Sequence, residues 1–325
     1  MPEHIRQEPK VLVSTENLTE QEWLAYRRRG IGGSDVAAIF GISPFRTARD
    51  LYDDKLNIAS AADDAGNWVA LEMGHLLEPL VARIFAKKTG LEVFQIKKMF
   101  QHPQYPFMLA DVDYFVRLPS GKIAILEIKT TNYNAKDHWW KDGEECVPVY
   151  YETQGRHYMT VMDMDEIFYC CLYGNNEDEV IIRHLYRDRE YEQEMVYLER
   201  EFWHDHILTR IPPPYTEDGS LILESLRRRL GAADKTIPAI QLDSDLSATM
   251  LRYLSLQEQR QQVETRVKTL DTEMQRLKGQ MVAKLNGSCM AMGEYGGTQY
   301  TISYNPVSRT ERQPPKAEAA APGYL

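Results

Sequence analysis

The stretch that decides the fold reads Ala110-Asp-Val-Asp-Tyr-Phe-Val-Arg-Leu-Pro-Ser-Gly-Lys-Ile-Ala-Ile-Leu-Glu-Ile-Lys-Thr130. Two apolar, strand-like segments flank Pro119-Ser-Gly121, and acidic residues lie inside both of them. A three-residue hairpin loop favours a type I turn followed by a residue with positive φ, which is usually glycine. The sequence therefore predicts a β-hairpin in which Leu118 pairs with Lys122.

The register of this hairpin brings four charged side chains together. It places Asp113 opposite Glu127 and Asp111 opposite Lys129, and because side chains alternate between faces along a strand, all four share one face. Directly opposed carboxylates are destabilising, and buried charges are costly unless something pairs with them. Mg²⁺ prefers a few carboxylates and waters. A magnesium ion between Asp113 and Glu127, with Lys129 beside its bound water, is the layout of a metal-dependent nuclease.

The same charges also have a plainer interpretation. An Asp, a Glu and a Lys on one hairpin most often form a solvated outer face, where ion pairs contribute little to stability. The segment Ile123-Ala-Ile-Leu126 opposes this interpretation, because it is apolar on both faces, as in a strand that is covered on both sides.

Composition places the chain among ordinary globular proteins. Its 325 residues suffice for a large core, which we interpret as one main domain with a C-terminal extension. No apolar run approaches the ~20 residues of a membrane-spanning helix, and the polar N-terminus lacks the apolar segment of a secretory signal. The four cysteines have no zinc-type spacing, so buried free thiols in a reducing cytoplasm are expected.

The net charge of −10 argues against a passive nucleic-acid binder covered in lysine and arginine, but not against an enzyme with a local basic groove. Each basic cluster, taken alone, is most simply a solvated surface. The candidate groove residues are Arg27–Arg29, Arg46, Arg49, Lys97–Lys98 and Arg227–Arg229.

Periodicity and turn residues predict an α/β core, in which helices flank one central mixed sheet. We divide the chain into a flexible lead (1–18), a core of the nuclease type (19–211), a linker (212–244), a long helix with a small hairpin (245–305) and a disordered tail (306–325). Helices are predicted after a capping box at Thr19 and Glu22 and over 148–162 and 188–210. Further strands are predicted at 91–99, 166–173 and 180–186.

The C-terminal region carries a heptad pattern. From Val263 to Leu285 the apolar residues are separated by steps of 4, 3, 4, 3, 4 and 4, which is typical of a helix that packs along one apolar seam. A helix from Leu246 to Leu285 would be ~60 Å long at 1.5 Å per residue, so it must pack on another helix or subunit. Scaffolding or oligomerisation is the favoured role, ahead of direct DNA contact.

A glycine-rich turn, Gly30-Ile-Gly-Gly-Ser34, leads into a predicted apolar helix. Such a turn exposes backbone N–H groups at the positive end of a helix, which suits an anion, and Arg27 and Ser34 would add contacts to a phosphate. The pattern is weakly specific, since many glycine-rich helix starts are only turns.

A second candidate segment surrounds Glu78. Residues 60–70 are predicted as a loop, and a helix is predicted over 80–88 with Pro79 in its first turn, where the missing N–H is harmless. Glu78 then lies at the start of a helix with a buried apolar face. An acidic residue there also simply complements the helix dipole.

Five short motifs follow one another over residues 20–175, each weak alone but specific in this order and spacing. They are Arg27…Gly30-Ile-Gly-Gly-Ser34-Asp, Gly74-His-Leu-Leu-Glu78-Pro, Ala110-Asp-Val-Asp113, Leu126-Glu-Ile-Lys129 and Tyr151-Glu-Thr-Gln154…Tyr158-Met. Together they resemble the YqaJ-like viral recombinase family of the PD-(D/E)XK nuclease superfamily, whose best-known relative is the lambda-type exonuclease. The resemblance implies a restriction-endonuclease-like core and a Mg²⁺-dependent 5′→3′ exonuclease acting on double-stranded DNA ends, which leaves 3′ single strands for phage-type homologous recombination.

The resemblance also implies roles at a metal centre. Asp113 and Glu127 match the metal ligands, and Glu78 matches a helix glutamate that reaches towards the metal. Lys129 matches the catalytic lysine. Mg²⁺ is the implied cofactor, and Mn²⁺ is expected to substitute for it.

Outside the metal centre, Arg27 and Ser34 match the pocket for the terminal 5′-phosphate. Asp111 occupies a position that varies in the family pattern, so it is expected just behind the ligands. Gln154 is expected to keep a polar contact near the site. Arg156 stands where the family often has a second glutamine, and its role there would be a supporting contact or a contact to DNA.

The resemblance further implies partners: double-stranded DNA, a single-strand annealing protein, and copies of the same chain in a ring-shaped trimer. No membrane contact is expected, and the location is the cytoplasm of a bacterial cell or phage-infected host. Two alternatives stay open: a structure- or site-specific DNA endonuclease on the same fold, and a non-catalytic recombination scaffold. A binding module has no need to oppose two carboxylates, and an iron–sulfur nuclease would need a cysteine cluster that the sequence lacks.

Overall fold

A computed structural model of the chain describes residues 7–58, 68–231 and 236–303. The chain divides into two compact units, residues 1–234 and residues 235–325. In the described ranges, the first unit contains seven α-helices and two main sheets, and the second contains one long helix and a hairpin.

The helices of the first unit are α1 (Glu20–Arg27), α2 (Gly33–Ile39), α3 (Ala48–Lys55), α4 (Trp68–Thr89), α5 (Val149–Met162), α6 (Arg189–Glu201, continued by a π-helical segment Phe202–Leu208) and α7 (Gly219–Leu230). Its strands are β1 (Lys10–Ser14), β2 (Glu92–Phe94), β3 (Lys98–Gln101), β4 (Leu109–Asp111), β5 (Tyr114–Arg117), β6 (Ile123–Thr130), β7 (Trp140–Lys141), β8 (Glu144–Glu145), β9 (Glu166–Leu172) and β10 (Val180–Tyr186).

The central sheet has five strands in the order β10-β9-β6-β5-β2. Strands β6 and β9 are parallel and the other neighbours are antiparallel, so the predicted mixed sheet is confirmed. The predicted hairpin is the β5–β6 pair. The Leu118 N–H donates to the Lys122 carbonyl at 2.9 Å, and Gly121 closes the turn with φ of +83°.

Strand β6 is covered on both sides. Ile125 packs in the cluster that includes α5, whereas Leu126 and Ile128 pack in a second cluster with Val81 and Phe85 of α4. The solvated-face interpretation of the hairpin is therefore wrong, because the strand that carries Glu127 and Lys129 lies between two layers of helix.

The predicted register needs one correction. The β5–β6 ladder ends at the pair Tyr114–Leu126, and Asp111 belongs to β4, where it pairs with Met99 in a separate antiparallel sheet of order β1-β3-β4. The placement of Asp111 opposite Lys129 was therefore wrong. The chain leaves one sheet and enters the other at Val112, whose side chain is buried, so a single alternating strand does not run through this point.

The predicted flexible lead and linker also hold ordered elements. Strand β1 pairs with β3, so the lead is structured from Lys10, while residues 1–6 lie outside the described ranges. Helix α7 lies inside the predicted linker 212–244 and contacts α3, because Ser225 and Arg228 donate hydrogen bonds to Asp50 at 2.7 and 2.9 Å.

Helix α4 begins earlier than predicted. It runs through Pro79, which places Glu78 in the middle of the helix and not at its start. The predicted loop over 60–70 lies mostly outside the described residues, but residues 68–70 are helical. Pro79 removes the hydrogen bond that its nitrogen would give to the His75 carbonyl. The buried Val81 and Phe85 supply the tertiary packing that this helix needs in spite of the proline.

The second unit consists of α8 (Ser244–Leu285) and the hairpin of β11 (Met290–Tyr295) and β12 (Thr298–Ser303), as predicted. Asp243 caps the start of α8, and Asn286 ends it in the left-handed conformation. The predicted tail 306–325 lies outside the described residues. Among the helices of the described ranges, none is long and apolar enough to cross a membrane.

Candidate active site

A cleft of about 430 Å³ lies where α1, α2 and α4 meet the turn between β4 and β5. Five of the nine site residues named from the sequence line it, whereas Glu127, Lys129, Gln154 and Arg156 are not among its lining residues. The lining residues are Trp23, Arg27, Gly32, Ser34, His75, Glu78, Gln95, Met99, Leu109, Asp111, Val112, Asp113 and Tyr158.

Glu127 and Lys129 lie side by side on the α5 face of β6. The Lys129 Nζ donates to Glu127 Oε1 at 2.7 Å and to Gln154 Oε1 at 3.0 Å, and the Gln154 amide also donates to Glu127. Glu127 is 1% exposed, and its Oε2 is buried without a hydrogen-bond partner. One oxygen of this carboxylate is therefore fixed, and the other remains available to a ligand.

Asp113 follows directly after the break between the two sheets. Its Oδ2 accepts a hydrogen bond from the Ile128 N–H at 2.9 Å, which ties the carboxylate to the strand that carries Glu127. Burial raises the pKa of Asp113, although Lys129 and the Ile128 N–H oppose the rise. Burial and the nearby charge of Asp113 also raise the pKa of Glu127. The two carboxylates thus repel each other in a dry environment.

Glu78 and Asp111 add to this crowding. Burial, followed by the charges of Asp113 and Asp111, raises the pKa of Glu78 to about 7. Burial raises the pKa of Asp111 too, but its Oδ2 accepts a hydrogen bond from the Trp23 indole at 2.6 Å. Asp111 is therefore partnered, whereas the raised pKa leaves Glu78 only partly ionised at neutral pH.

One cation sits among these carboxylates. Burial alone lowers the pKa of Lys129, but Glu127 and Asp113 outweigh burial and raise it above the ordinary value. Lys129 is thus held in the charged form, and its ring contact with Tyr151, 4.8 Å from Nζ to the centroid, suits a cation as well.

The carboxylate oxygens of Glu78, Asp113 and Glu127 are of the donor type that a hard divalent cation takes, and one of them is buried without a hydrogen-bond partner. Within the described ranges, no three His, Cys, Asp or Glu side chains stand together as a ready metal site. Lys129 and Gln154 bind Oε1 of Glu127, so Oε2 is the oxygen that would ligate a cation.

A second group of charges borders the same cleft. The Arg27 Nη2 donates to Ser34 Oγ at 2.7 Å and lies 3.3 Å from Asp35 Oδ1. Asp35 is fully buried and also pairs with Arg46 and with Lys55, whose Nζ is 2.6 Å from Asp35 Oδ2. Burial favours the neutral acid, but these three cations outweigh it and hold the pKa of Asp35 well below its usual range.

The start of α2 is positioned by a close approach to α5. A Cβ on Gly33 would lie 2.6 Å from the ring of Tyr158 and 3.0 Å from Gln154, so only glycine fits there. Asp35 also accepts the Gly32 N–H at 2.8 Å, which closes the turn before the helix. This packing holds α2 against α5, so Ser34 of α2 reaches the cleft beside the helix that carries Gln154.

Three residues that contribute to the two charged groups had no role predicted from the sequence: Asp35, Lys55 and Trp23. Asp35 had a visible signal, because an acid three residues after Gly32 matches a helix-capping position. Lys55 had none, since it reaches Asp35 from the end of α3. Arg156 lies elsewhere than expected: its guanidinium pairs with Glu152 at 2.6 Å, and it is not among the cleft residues.

The four cysteines are free, as expected from their spacing. Cys170 and Cys171 are buried in β9, whereas Cys146 is half-buried and Cys289 is exposed. The expectation of buried thiols therefore holds for the pair in the central sheet and fails for Cys289.

The first unit thus has a mixed α/β core whose central strand carries Glu127 and Lys129, and Asp113, in the turn before β5, is bonded to that strand through the Ile128 N–H. Residues 22–165 match the family described as the YqaJ-like viral recombinase domain. The Bacillus subtilis (strain 168) protein named Uncharacterized protein YqaJ is 32% identical over 268 residues, which cover 82% of this chain and 80% of that protein. The chain belongs to the YqaJ-like viral recombinase family.

Two solved structures share part of the architecture. An alkaline exonuclease (LHK-Exo) from Laribacter hongkongensis is 19% identical, with a TM-score of 0.47 over 58% of this chain and 93% of that one. A phage-related exonuclease from Haemophilus somnus 129PT is 14% identical, with a TM-score of 0.40 over 58% of this chain and 100% of that one.

Proposed function

We propose that the protein is a metal-dependent deoxyribonuclease that digests double-stranded DNA from 5′ ends in the 5′→3′ direction. The observation that carries the proposal is the union of two opposite sites in one cleft. Glu78 and Asp113 line the cleft together with Arg27 and Ser34, and the Ile128 N–H ties Asp113 to the strand that carries Glu127 and Lys129. Carboxylates beside a lysine suit phosphodiester hydrolysis, and Arg27 and Ser34 offer hydrogen-bond donors to an anion. A terminal phosphate in the second site would set a DNA end against the first.

Glu78, Asp113 and Glu127 would hold Mg²⁺, with Mn²⁺ as a substitute. When bound, such an ion polarises the scissile phosphate and lowers the pKa of a bound water. Lys129 offsets negative charge that develops on the phosphate, as a fixed cation does best in a site that excludes water. Gln154 fixes the Lys129 ammonium and one Glu127 oxygen, so the two groups enter the reaction already oriented.

Arg27 and Ser34 would bind the terminal 5′-phosphate. The guanidinium is held by Asp35 and lies over the Trp23 ring, 4.8 Å from its centroid. Four cationic side chains, Arg27, Arg28, Arg46 and Lys55, stand around two carboxylates, Asp35 and Asp54. This surplus of positive charge favours a dianionic phosphate over a hydroxyl.

The proposed substrate places the protein in phage-type homologous recombination. Removal of the 5′ strand leaves a 3′ single strand, which a single-strand annealing protein would take up. A ring-shaped trimer would enclose the duplex and keep the enzyme on one DNA molecule. The proposed location is the cytoplasm of a bacterial cell or an infected host, where the DNA is.

One digestion assay tests the proposal. Linear duplexes with 5′-phosphate or 5′-hydroxyl ends and a covalently closed circle are incubated with Mg²⁺, with Mn²⁺ or with EDTA, and the released nucleotides are followed. The phosphorylated linear duplex should be digested fastest, the circle should survive, and EDTA should stop the reaction. Arg27→Ala should reduce the preference for the phosphorylated end.

Other outcomes separate the alternatives. Cleavage of the closed circle would replace the exonuclease with an endonuclease on the same fold. Binding without cleavage under every metal condition would indicate a recombination scaffold. Digestion that starts at 3′ ends would overturn the proposed direction. Equal rates on 5′-phosphate and 5′-hydroxyl ends would show that Arg27 and Ser34 do not bind a terminal phosphate.

A further inference from the structure

The apolar seam of α8 is open to solvent in the described part of the second unit. Its members are 42–65% exposed, although each is a large apolar side chain. A 42-residue helix gains most of its stability from packing an apolar face and little from intrinsic propensity. The seam residues are Val263, Val267, Leu270, Met274, Leu277 and Met281.

We propose that α8 binds α8 of a second copy of this chain in a parallel, in-register, two-stranded coiled coil, which would join copies in two different ring-shaped trimers and not copies within one. In heptad notation, Val267, Met274 and Met281 occupy a positions, and Leu270 and Leu277 occupy d positions. Val267 at a with Leu270 at d is the combination that favours two parallel strands, whereas Met274 and Met281 at the other a positions are not β-branched. The seam alone does not choose the orientation, but the charges beside it do.

The flanking charges are complementary in the parallel arrangement. There, each g residue faces the e residue of the next heptad on the other copy. Arg266 at g faces Asp271 at e, and Glu273 at g faces Lys278 at e. Two-fold symmetry repeats both contacts. No g–e pair between Leu246 and Leu285 brings like charges together in this arrangement.

The antiparallel arrangement is penalised. With the seams fully overlapped, e residues face e residues and g residues face g residues. Asp271 then faces Asp271 of the second copy and Glu273 faces Glu273, while two-fold symmetry makes the attractive Glu264–Lys278 contact twice. Two repulsive contacts therefore offset two attractive ones, whereas all four contacts of the parallel arrangement are attractive. Like charges at such positions are destabilising. In the single chain Glu273 pairs with Arg276 at 2.8 Å, but this pair is exposed and its exchange costs little.

The rival occupant is the chain's own hairpin. Ile302 of β12 lines a cleft of about 470 Å³ with Met274, Leu277 and Met281, so the hairpin approaches one flank of the seam near its C-terminal end. Val263, Val267 and Leu270 do not line this cleft. If the hairpin covered the seam, α8 would not bind a second copy, and substitutions beside the seam would not change the mass of the protein in solution.

Reciprocal charge reversal tests the proposal on the full chain. One variant carries Arg266→Glu with Glu273→Lys, and the other carries Asp271→Lys with Lys278→Glu. In each homodimer all four flanking contacts become repulsive, whereas in the mixed dimer all four are attractive again. Light scattering with size-exclusion chromatography should show that each variant alone has half the wild-type mass, and that an equal mixture restores it.

The affinity of each variant for itself should fall on the order of 100-fold, as expected for several exposed ionic contacts of changed sign. Far-ultraviolet circular dichroism and the nuclease assay check that the variants remain folded. A wild-type mass that equals that of both variants would overturn the proposal, whether the chain is a monomer or assembles elsewhere. Failure of the mixture to recover the mass would do the same.

Disulfide formation tests the orientation. In a chain with Cys146→Ser and Cys289→Ser, Leu270→Cys should cross-link on mild oxidation, because d faces d in a parallel pair. Thr272→Cys, on the outer face of the helix, is the matched control and should stay reduced. Equal cross-linking of the two variants would exclude the seam as the interface. Cross-linking of Leu270→Cys with Met274→Cys, but not with itself, would overturn the parallel arrangement.

Discussion

Two clusters of buried charge border the same cleft, and they are balanced in opposite ways. The basic cluster surrounds Asp35 with three cations and lowers the pKa of that carboxyl. The acidic cluster gathers three carboxylates around Lys129 and raises the pKa of each of them. Its carboxylates are Glu78, Asp113 and Glu127.

The difference shows which cluster is complete. Three cations surround the single carboxylate of Asp35, so its charge is stabilised in the fold. The cluster keeps a net positive charge, which attracts an anion. The acidic cluster is unstable by itself, because one lysine does not compensate three carboxylates in a dry site. Such stored repulsion is typical of a site that a ligand completes, and a stability cost there is the usual companion of function.

The largest expected effect is that of the substitution Lys129→Ala on the rate of DNA cleavage. Removal of the one cation in the acidic cluster should lower the cleavage rate by about 10²–10⁴-fold, the usual range for a positioned catalytic group. Binding of duplex DNA, measured by fluorescence anisotropy with Ca²⁺ in place of Mg²⁺, should be retained. Asp113→Ala should behave alike. Full activity in either variant would show that the acidic cluster is not the catalytic centre.

The next effect is on stability, through Asp35→Asn. Loss of this charge leaves Lys55 buried without its counter-charge, so the free energy of unfolding should fall by about 3–5 kcal/mol. Urea denaturation at pH 7 measures it. Asp54→Asn is the matched control: its pair with Arg28 is partly exposed, and its loss should cost about 1 kcal/mol or less. Equal losses in the two variants would contradict the central place of Asp35.

The pH dependence of this effect has a definite sign. Because the pKa of Asp35 is lower in the folded chain than in the unfolded chain, the folded state binds fewer protons. Its stabilising contribution is therefore complete above the ordinary aspartate value, about 4, and it is lost as the pH falls below that value. The difference between the wild-type chain and Asp35→Asn should shrink on acidification.

Glu78→Gln should raise the stability of the chain, whereas Asp35→Asn lowers it. The pKa of Glu78 is raised to about 7, so its ionisation costs stability increasingly as the pH rises from about 4 to 7. In EDTA at pH 8 the variant should be about 1–2 kcal/mol more stable than the wild-type chain, a figure that allows for the partial exposure of this residue. The gain should disappear near pH 4. Cleavage should nevertheless be reduced.

Divalent cations should reverse the order of stability of the wild-type chain and Glu78→Gln. An ion that binds only the folded state raises the free energy of unfolding with the logarithm of one plus the ratio of ion concentration to dissociation constant. The midpoint of thermal unfolding of the wild-type chain should therefore rise on addition of Mg²⁺ or Mn²⁺, and that of Glu78→Gln should rise less. A variant that is less stable than the wild-type chain at pH 8 would show that the acidic cluster stores no repulsion.

The sequence predicted the acidic cluster better than the basic one. The motif around Glu127 and Lys129 is local in sequence, so strand alternation and turn chemistry were sufficient to place both side chains on one face. The basic cluster joins α1, α2 and α3, and Lys55 reaches Asp35 only through tertiary packing. No local pattern marks such a contact.

The errors of register and helix start have related causes. Asp111 was assigned to the hairpin because apolar and acidic residues continue to alternate across Val112. The chain there passes from one sheet to the other. Pro79 seemed to start a helix because its local preference is for the first turn. In the fold, the packing of Val81 and Phe85 against the sheet outweighs that preference.

The smallest expected effect, from Arg156→Gln, sharpens the boundary of the site. The Arg156 guanidinium pairs with Glu152 and lies over the Tyr191 ring, 4.6 Å from its centroid, so it faces α6. Cleavage should stay within about twofold, and the free energy of unfolding should fall by about 1 kcal/mol from the lost ring contact. Gln154→Ala, two residues earlier on α5, should instead lower cleavage at least about tenfold, because Lys129 and Glu127 lose their shared partner. Equal activity losses in these two variants would place Arg156 inside the active site.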